Sequence, residues 1–146
     1  LLHTIEAPPA LRSFDPVVFA QAYCLRAQSQ AAYRLRDEIQ RLTDRCGHQL
    51  VGSGICHNDL HAANILVGER VRLIDFEYAV SASPLVDVAS YAAFNGLDEQ
   101  AAVTFAMHCL DDDLPFSEEQ LLEAVRIQRL LGELWEIARS DNNAPA

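Results

Sequence analysis

Residues 57–77, HNDLHAANILVGERVRLIDFE, constrain this chain more than any other stretch. Two β-prone runs, NILV at 64–67 and VRLI at 71–74, flank the short loop Gly68-Glu69-Arg70, which is a hairpin signal. With Val67 paired near Val71, Asn64 falls opposite Ile74, and Asp75 emerges beside Asn64. Asp59 precedes Asn64 by a loop's reach. The hairpin therefore gathers Asp59, Asn64 and Asp75 at one end. It also leaves Asp75 at the close of an apolar run, where a carboxylate needs a partner or a metal.

An Asn amide oxygen beside an Asp carboxylate is a pair of hard oxygen ligands. Such ligands suit Mg²⁺, which takes few protein groups and completes its shell with phosphate oxygens. A separate Asp in the preceding loop can accept a hydroxyl proton and orient that hydroxyl for attack. A positioned base, with metal ions neutralising charge on the transferred group, is the equipment of phosphoryl transfer. A different chemistry is also open. His57, Asp59 and His61 alternate, so in an extended segment they would face one side, as ligands of a catalytic Zn²⁺ in a hydrolase might. That alternative leaves Asn64 and Asp75 without a role.

The order His57, Asp59, Asn64 resembles the kinase catalytic loop, H-x-D-x-x-x-x-N, and Asp75-Phe76-Glu77 stands where protein kinases carry Asp-Phe-Gly. HNDLHAANILV followed by LIDFEYA is more similar to the aminoglycoside phosphotransferase and choline kinase superfamily than to protein kinases. Pro84 and Asp87 of SPLVDVA resemble that superfamily's next landmark. The resemblance covers residues 55–95 with specific motifs and reaches Trp135 more weakly. It implies an α+β, mainly α-helical fold: a protein-kinase-like C-terminal lobe whose small hairpin carries the catalytic and metal-binding loops. It implies ATP-dependent transfer of a γ-phosphate to a hydroxyl of a small cationic acceptor, of the choline and amino alcohol or the aminoglycoside type. On this resemblance Asp59 is the catalytic base, and Asn64 and Asp75 hold Mg²⁺. Asp87 accepts backbone N–H groups of the catalytic loop, which His57 also supports. Tyr78 and Trp135, with Glu77, bind the acceptor, the two rings serving as walls of an aromatic cage. The superfamily often has a second aromatic one turn before that Trp; here the position is Gly132. A degenerate kinase-like domain used only for interaction is a further alternative, against which the intact trio speaks.

Around this centre the chain reads as helical. Asp15 and Pro16 start a helix in FDPVVFAQAYCL. Leu35, Ile39, Leu42 and Cys46 form a stripe that predicts a second helix ending at Gly47, with a break between the two near Ser29. SPLVDVASYAAF predicts a helix ending at Asn95-Gly96, and another fits residues 98–110. Ser117 and Gln120 make a capping box for the last helix, whose stripe is Leu121, Val125, Leu130 or Leu131, Leu134 and Ala138.

The net charge of −10 argues against nucleic acid and agrees in sign with Mg²⁺ and a cationic ligand. Cys24, Cys46, Cys56 and Cys109 lie in apolar surroundings at no metal-binding spacing and are expected to be buried thiols of a cytoplasmic protein. No apolar run approaches a membrane span. The 146 residues fit one domain, yet the chain opens on LLHTIEAPP, in mid-pattern. Its basic residues are all Arg, and no Gly-rich motif occurs, so the Lys and phosphate loop of an N-terminal nucleotide-binding lobe are missing. The expectation is a C-terminal lobe that binds nucleotide weakly when alone and exposes apolar side chains that favour self-association.

Overall fold

The computed structural model describes residues 2–110 and 116–141. All its α-helices but the one at Leu85–Phe94 begin where a side chain answers the open N–H groups of a first turn. Asp15 Oδ1 accepts from the N–H groups of Val17 at 3.0 Å and Val18 at 3.2 Å, starting α1 (Pro16–Ala27). Gln28, left-handed at φ 47°, ends α1, and Ser29 caps α2 (Gln30–Leu50), so the expected break falls here. α3 (Leu85–Phe94) turns out at Asn95 and Gly96, and Asp98 caps α4 (Glu99–Cys109). The capping box of α5 (Glu118–Asp141) is reciprocal: Ser117 N donates to Gln120 Oε1 at 2.8 Å, and Gln120 N to Ser117 Oγ at 3.2 Å.

Two expectations are corrected. α2 does not stop at Gly47 but continues to Leu50. Leu50 extends the Leu42 and Cys46 stripe and is 2% exposed, so one more buried turn outweighs the ~1 kcal/mol cost of a mid-helix Gly. Cys109 is exposed, whereas the other three cysteines are buried. On α4 the buried positions are Ala102 and Ala106, followed by Leu110, and Cys109 falls off that stripe.

There are two small sheets among the described residues, not one. β1 (Gly54–Cys56) pairs antiparallel with β4 (Val80–Ala82), and the N-terminal segment lies along both: Ile55 N donates to Ile5 O at 3.2 Å, and Ser81 N to Arg12 O at 2.8 Å. Gly54 is needed for this approach, since a Cβ there would stand 2.7 Å from the His3 carbonyl oxygen. The second sheet is the expected hairpin, β2 (Ile65–Leu66) against β3 (Arg72–Leu73), with Ile65 opposite Leu73. Ile74 N donates to Asn64 O at 3.1 Å, so the predicted register holds.

α5 is the centre of the helical packing, in contact with α1, α2, α3 and α4. Ile39 and Leu42 of α2, Val86 of α3, and Leu121, Ile127 and Leu134 of α5 fill the core. Leu131, not Leu130, lies on the buried stripe of α5. Cys56 of β1 and Val80 and Ala82 of β4 join that core, and the loop at 57–64 is bonded to Asp87 at the N-terminal end of α3.

Candidate active site

The loop that follows β1 is held from below by α3. Asp87, in the first turn of α3 and 2% exposed, accepts from His57 N at 3.0 Å through Oδ2 and from Asn58 N at 2.8 Å through Oδ1. His3 Nε2 lies 2.9 Å from Oδ2 as well. One turn on, Ser90 Oγ accepts from Leu60 N at 3.0 Å, and Asn95 Nδ2 donates to Leu60 O at 2.8 Å. Backbone polar groups out of water must be answered, and a carboxylate answers N–H groups with stronger, charge-assisted bonds. Asp87 thus answers two backbone N–H groups of this loop. Asn58, at φ 62°, is also held through its side chain, which accepts from Gln128 Nε2 at 3.1 Å and donates to Tyr78 O at 3.4 Å.

Asp59 and Asn64 are in direct contact. Asn64 Nδ2 donates to the Asp59 backbone oxygen at 2.9 Å and to its Oδ2 at 3.0 Å. With the amide nitrogen spent on Asp59, the amide oxygen is the group Asn64 has for a cation. Asp75 follows the Asn64–Ile74 rung directly. Its φ of 64° is the left-handed region, costly for a residue with a side chain, and its carboxylate makes no capping bond to the 3₁₀ turn it precedes (Phe76–Tyr78). His57 braces this corner. Its Nε2 bonds Ile74 O at 2.7 Å, and its ring lies 4.5 Å from that of Phe76, so the residues on either side of Asp75 are both held by one buried imidazole. A carbonyl only accepts, so Nε2 carries a proton, and Nδ1 is buried without a hydrogen-bond partner among the described residues.

This geometry overturns the Zn²⁺ alternative. His57 is buried and committed to Ile74, so it does not face outward with Asp59 and His61. His61 Nε2 lies 3.6 Å from Asp59 Oδ2, and no third ligand joins them among the described residues. The potential ligand atoms that do gather are those of His3, Cys56 and Asp87, within 4.8 Å of one another. They form a hydrogen-bonded knot: Asp87 is shared as described, and Cys56 Sγ donates to Ser83 O at 3.2 Å. Burial pushes the Cys56 thiol far up, and the Asp87 charge adds to it, so the thiol stays protonated.

In front of Asp59 opens a cleft of about 580 Å³, lined on one side by Tyr78 and on another by Trp135 of α5. The structure thus brings Asp59, Tyr78 and Trp135 together. Glu77 is exposed and does not line the cleft. The Trp135 ring carries the Arg139 guanidinium at 4.8 Å. Gly132 packs against Phe94, where a Cβ would stand 3.1 Å from the ring, so α3 supplies an aromatic wall beside the position where α5 has none. Sequence reasoning missed Phe94, and also Phe19 and Tyr23 of α1 and Gln128 of α5, all in the cleft wall. Phe19 and Tyr23 are spaced four apart, beside the buried stripe of Ala20 and Cys24, and that spacing was the available signal.

The description of the phosphotransferase enzyme family (APH) matches residues 2–136. No curated protein matches. Among solved structures, choline kinase LicA from Streptococcus pneumoniae is similar with a TM-score of 0.78 at 23% identity, over 99% of this chain and 54% of that one. LicA in complex with AMP is similar with a TM-score of 0.76 at 24% identity, over 99% of this chain and 53% of that one. At these identities the likeness is one of fold. The chain spans about half the length of the solved chains it matches.

Proposed function

The chain belongs to the phosphotransferase enzyme family, and from that premise we propose that it is the C-terminal, catalytic lobe of an ATP- and Mg²⁺-dependent small-molecule kinase. The acceptor is a small cationic alcohol, of the choline and amino alcohol or the aminoglycoside type. The observation that carries this reading is the contact of Asn64 Nδ2 with the backbone oxygen and Oδ2 of Asp59, with Asp75 at the next step of the hairpin. Asp59 is the base. It accepts the proton of the acceptor hydroxyl as that oxygen attacks the γ-phosphorus, and the bond to the bridging oxygen of ADP breaks. Asn64, through its amide oxygen, and Asp75, through its exposed carboxylate, are hard oxygen donors of the kind Mg²⁺ takes, and they would hold it. Bound there with phosphate oxygens, the ion supplies neutralisation of charge on the transferred group. His57 and Asp87 keep the loop in place, and Tyr78 and Trp135 form walls for the acceptor.

Nucleotide is proposed as a partner because LicA has a structure in complex with AMP and shares this fold. The phosphates require a further lobe, which relatives of about twice this length have room for. The hairpin fits that need. Val67 and Val71 are 83% and 66% exposed, and Leu66, Ile74 and Phe76 are exposed beside them. Such an apolar strip next to a catalytic loop is a natural seat for a nucleotide-binding lobe and, when bare, a site of self-association. Use of ATP and Mg²⁺ fits the cytoplasm, and no helix among the described residues is long and apolar enough to cross a membrane.

The test is ATP consumption by the full-length protein against choline, ethanolamine, thiamine and aminoglycosides, with and without Asp59→Asn. One acceptor should be turned over, and the variant should lower its kcat by roughly 10²–10⁴, the usual range for a general base. Wild-type turnover by the variant would remove Asp59 from this role.

A further inference from the structure

The ligand atoms of His3, Cys56 and Asp87 lie within 4.8 Å of one another, and no other group of three His, Cys, Asp or Glu side chains gathers so closely among the described residues. They come from three places in the fold: the N-terminal segment, the end of β1 and the first turn of α3. Each is fixed in position. The His3 backbone packs against Gly54, and Ile5 O two residues on accepts from Ile55 N. Cys56 is fully buried, and the N–H groups of His57 and Asn58 pin the Asp87 carboxylate.

An imidazole nitrogen, a thiol sulfur and a carboxylate oxygen make the mixed donor set that borderline and soft divalent ions take, whereas Mg²⁺ demands oxygen. Around a four-coordinate ion of this kind, with bonds of about 2.0–2.3 Å, the donor atoms stand roughly 3.3–3.8 Å apart. His3 Nε2 and Asp87 Oδ2 are already 2.9 Å apart, with a proton between them. Cys56 Sγ needs a shift of roughly 1 Å to complete the set, and it gives up only a weak thiol bond to Ser83 O. A carboxylate offers about four lone-pair sites, so an ion in place of the His3 proton leaves both loop N–H bonds of Asp87 in being.

We propose that His3, Cys56 and Asp87 form a site for a soft divalent cation of the Zn²⁺ or Cd²⁺ type, which staples the N-terminal segment to β1 and α3 behind the loop that carries Asp59. Water takes the fourth position from the side of the part-exposed His3 ring. On binding, the thiol proton leaves to solvent, the imidazole carries its proton on Nδ1 instead of Nε2, and no electron is transferred. Burial holds the thiol proton on, so the ion is bound when supplied and surrendered to a chelator. The site uses none of Asp59, Asn64 and Asp75, so it stands or falls apart from the phosphotransfer reading.

Cd²⁺ is the probe, because a cadmium thiolate absorbs in the ultraviolet by charge transfer. The chelator-treated protein, with Cys109→Ser to remove the exposed thiol, is titrated with Cd²⁺ in the presence of excess Mg²⁺. One equivalent should bind with a saturable band. The urea midpoint should rise as the ion is added, since a site drawn from three elements exists only in the folded chain. Cys56→Ser should remove the band. His3→Ala should keep the thiolate but weaken binding about tenfold or more, since loss of a mere supporting group already costs roughly 10–100-fold. No saturable band, a band that survives Cys56→Ser, unchanged affinity in His3→Ala, or displacement of Cd²⁺ by Mg²⁺ would each overturn the proposal. His3 is part-exposed and its loss spares both loop bonds of Asp87, so His3→Ala decides the matter even where Cys56→Ser fails to fold.

Discussion

Gln128 of α5 donates from Nε2 to Oδ1 of Asn58 across 3.1 Å, and Asn58 is the residue immediately before Asp59. Gln128 is 3% exposed and lies in the cleft wall with Trp135. The second half of the Asn58 amide reaches the Tyr78 carbonyl oxygen. One side chain therefore ties the helix of the cleft wall, the loop that carries Asp59 and the turn that carries Tyr78. Asn58 is also in a left-handed conformation that such contacts must hold in place.

Gln128→Leu is expected to leave the Asn58 amide oxygen without its partner and to cost about 1–3 kcal/mol of stability in a urea titration. In the full-length protein kcat should fall by up to about 10²-fold through misplacement of Asp59, with the KM for ATP little changed. A loss of stability with unaltered kcat would mean that Gln128 packs the cleft wall and positions nothing.

Asp87→Ala removes the acceptor of two backbone N–H groups and of His3 at once. A loss on the order of 3 kcal/mol is expected, because each stranded buried donor costs about 1–3 kcal/mol. Chemical denaturation of the chain checks this, with His3→Ala as the milder case, since His3 is part-exposed and leaves both loop bonds intact. Equal effects from the two variants would show that the N-terminal contact, rather than the loop, is what Asp87 serves.

Asp75→Ala should abolish Mg²⁺-dependent turnover of the full-length protein, and Asn64→Ala should raise the Mg²⁺ concentration needed for half-maximal rate. Asn64→Ala carries a second cost, since its amide nitrogen fixes Asp59. Elemental analysis of the purified protein should find no stoichiometric zinc; finding it would reopen the hydrolase alternative that the buried His57 ring closes.

Calorimetry of the 146-residue chain with Mg-ATP should show no micromolar binding. Mg²⁺ dehydrates reluctantly and relies on phosphate oxygens, and the chain has no Lys and no Gly-rich loop to hold those phosphates. Micromolar affinity would show that the nucleotide site lies within this chain.

The sequence by itself determined what is decided over short distances along the chain. Asp15, Ser29, Asp98 and Ser117 cap helices because a side chain and the N–H groups it answers lie within three residues. The Asn64–Ile74 register was legible because the short Gly68-Glu69-Arg70 loop leaves the strands little freedom to slip. That register, with the His57 to Asp75 motif, was enough to bring Asp59, Asn64 and Asp75 to one end. Tertiary structure alone decided the rest. Gly47 stays helical because Leu50 finds a core to enter, which no local propensity reveals. β1 meets β4 across some 23 residues of intervening chain, with the N-terminal segment bonded to both strands. Phe19, Tyr23, Phe94 and Gln128 reach the cleft only because α1 and α3 pack on α5. Such contacts depend on how helix faces are oriented against one another, and hydrophobic period fixes which face is buried without fixing what that face meets.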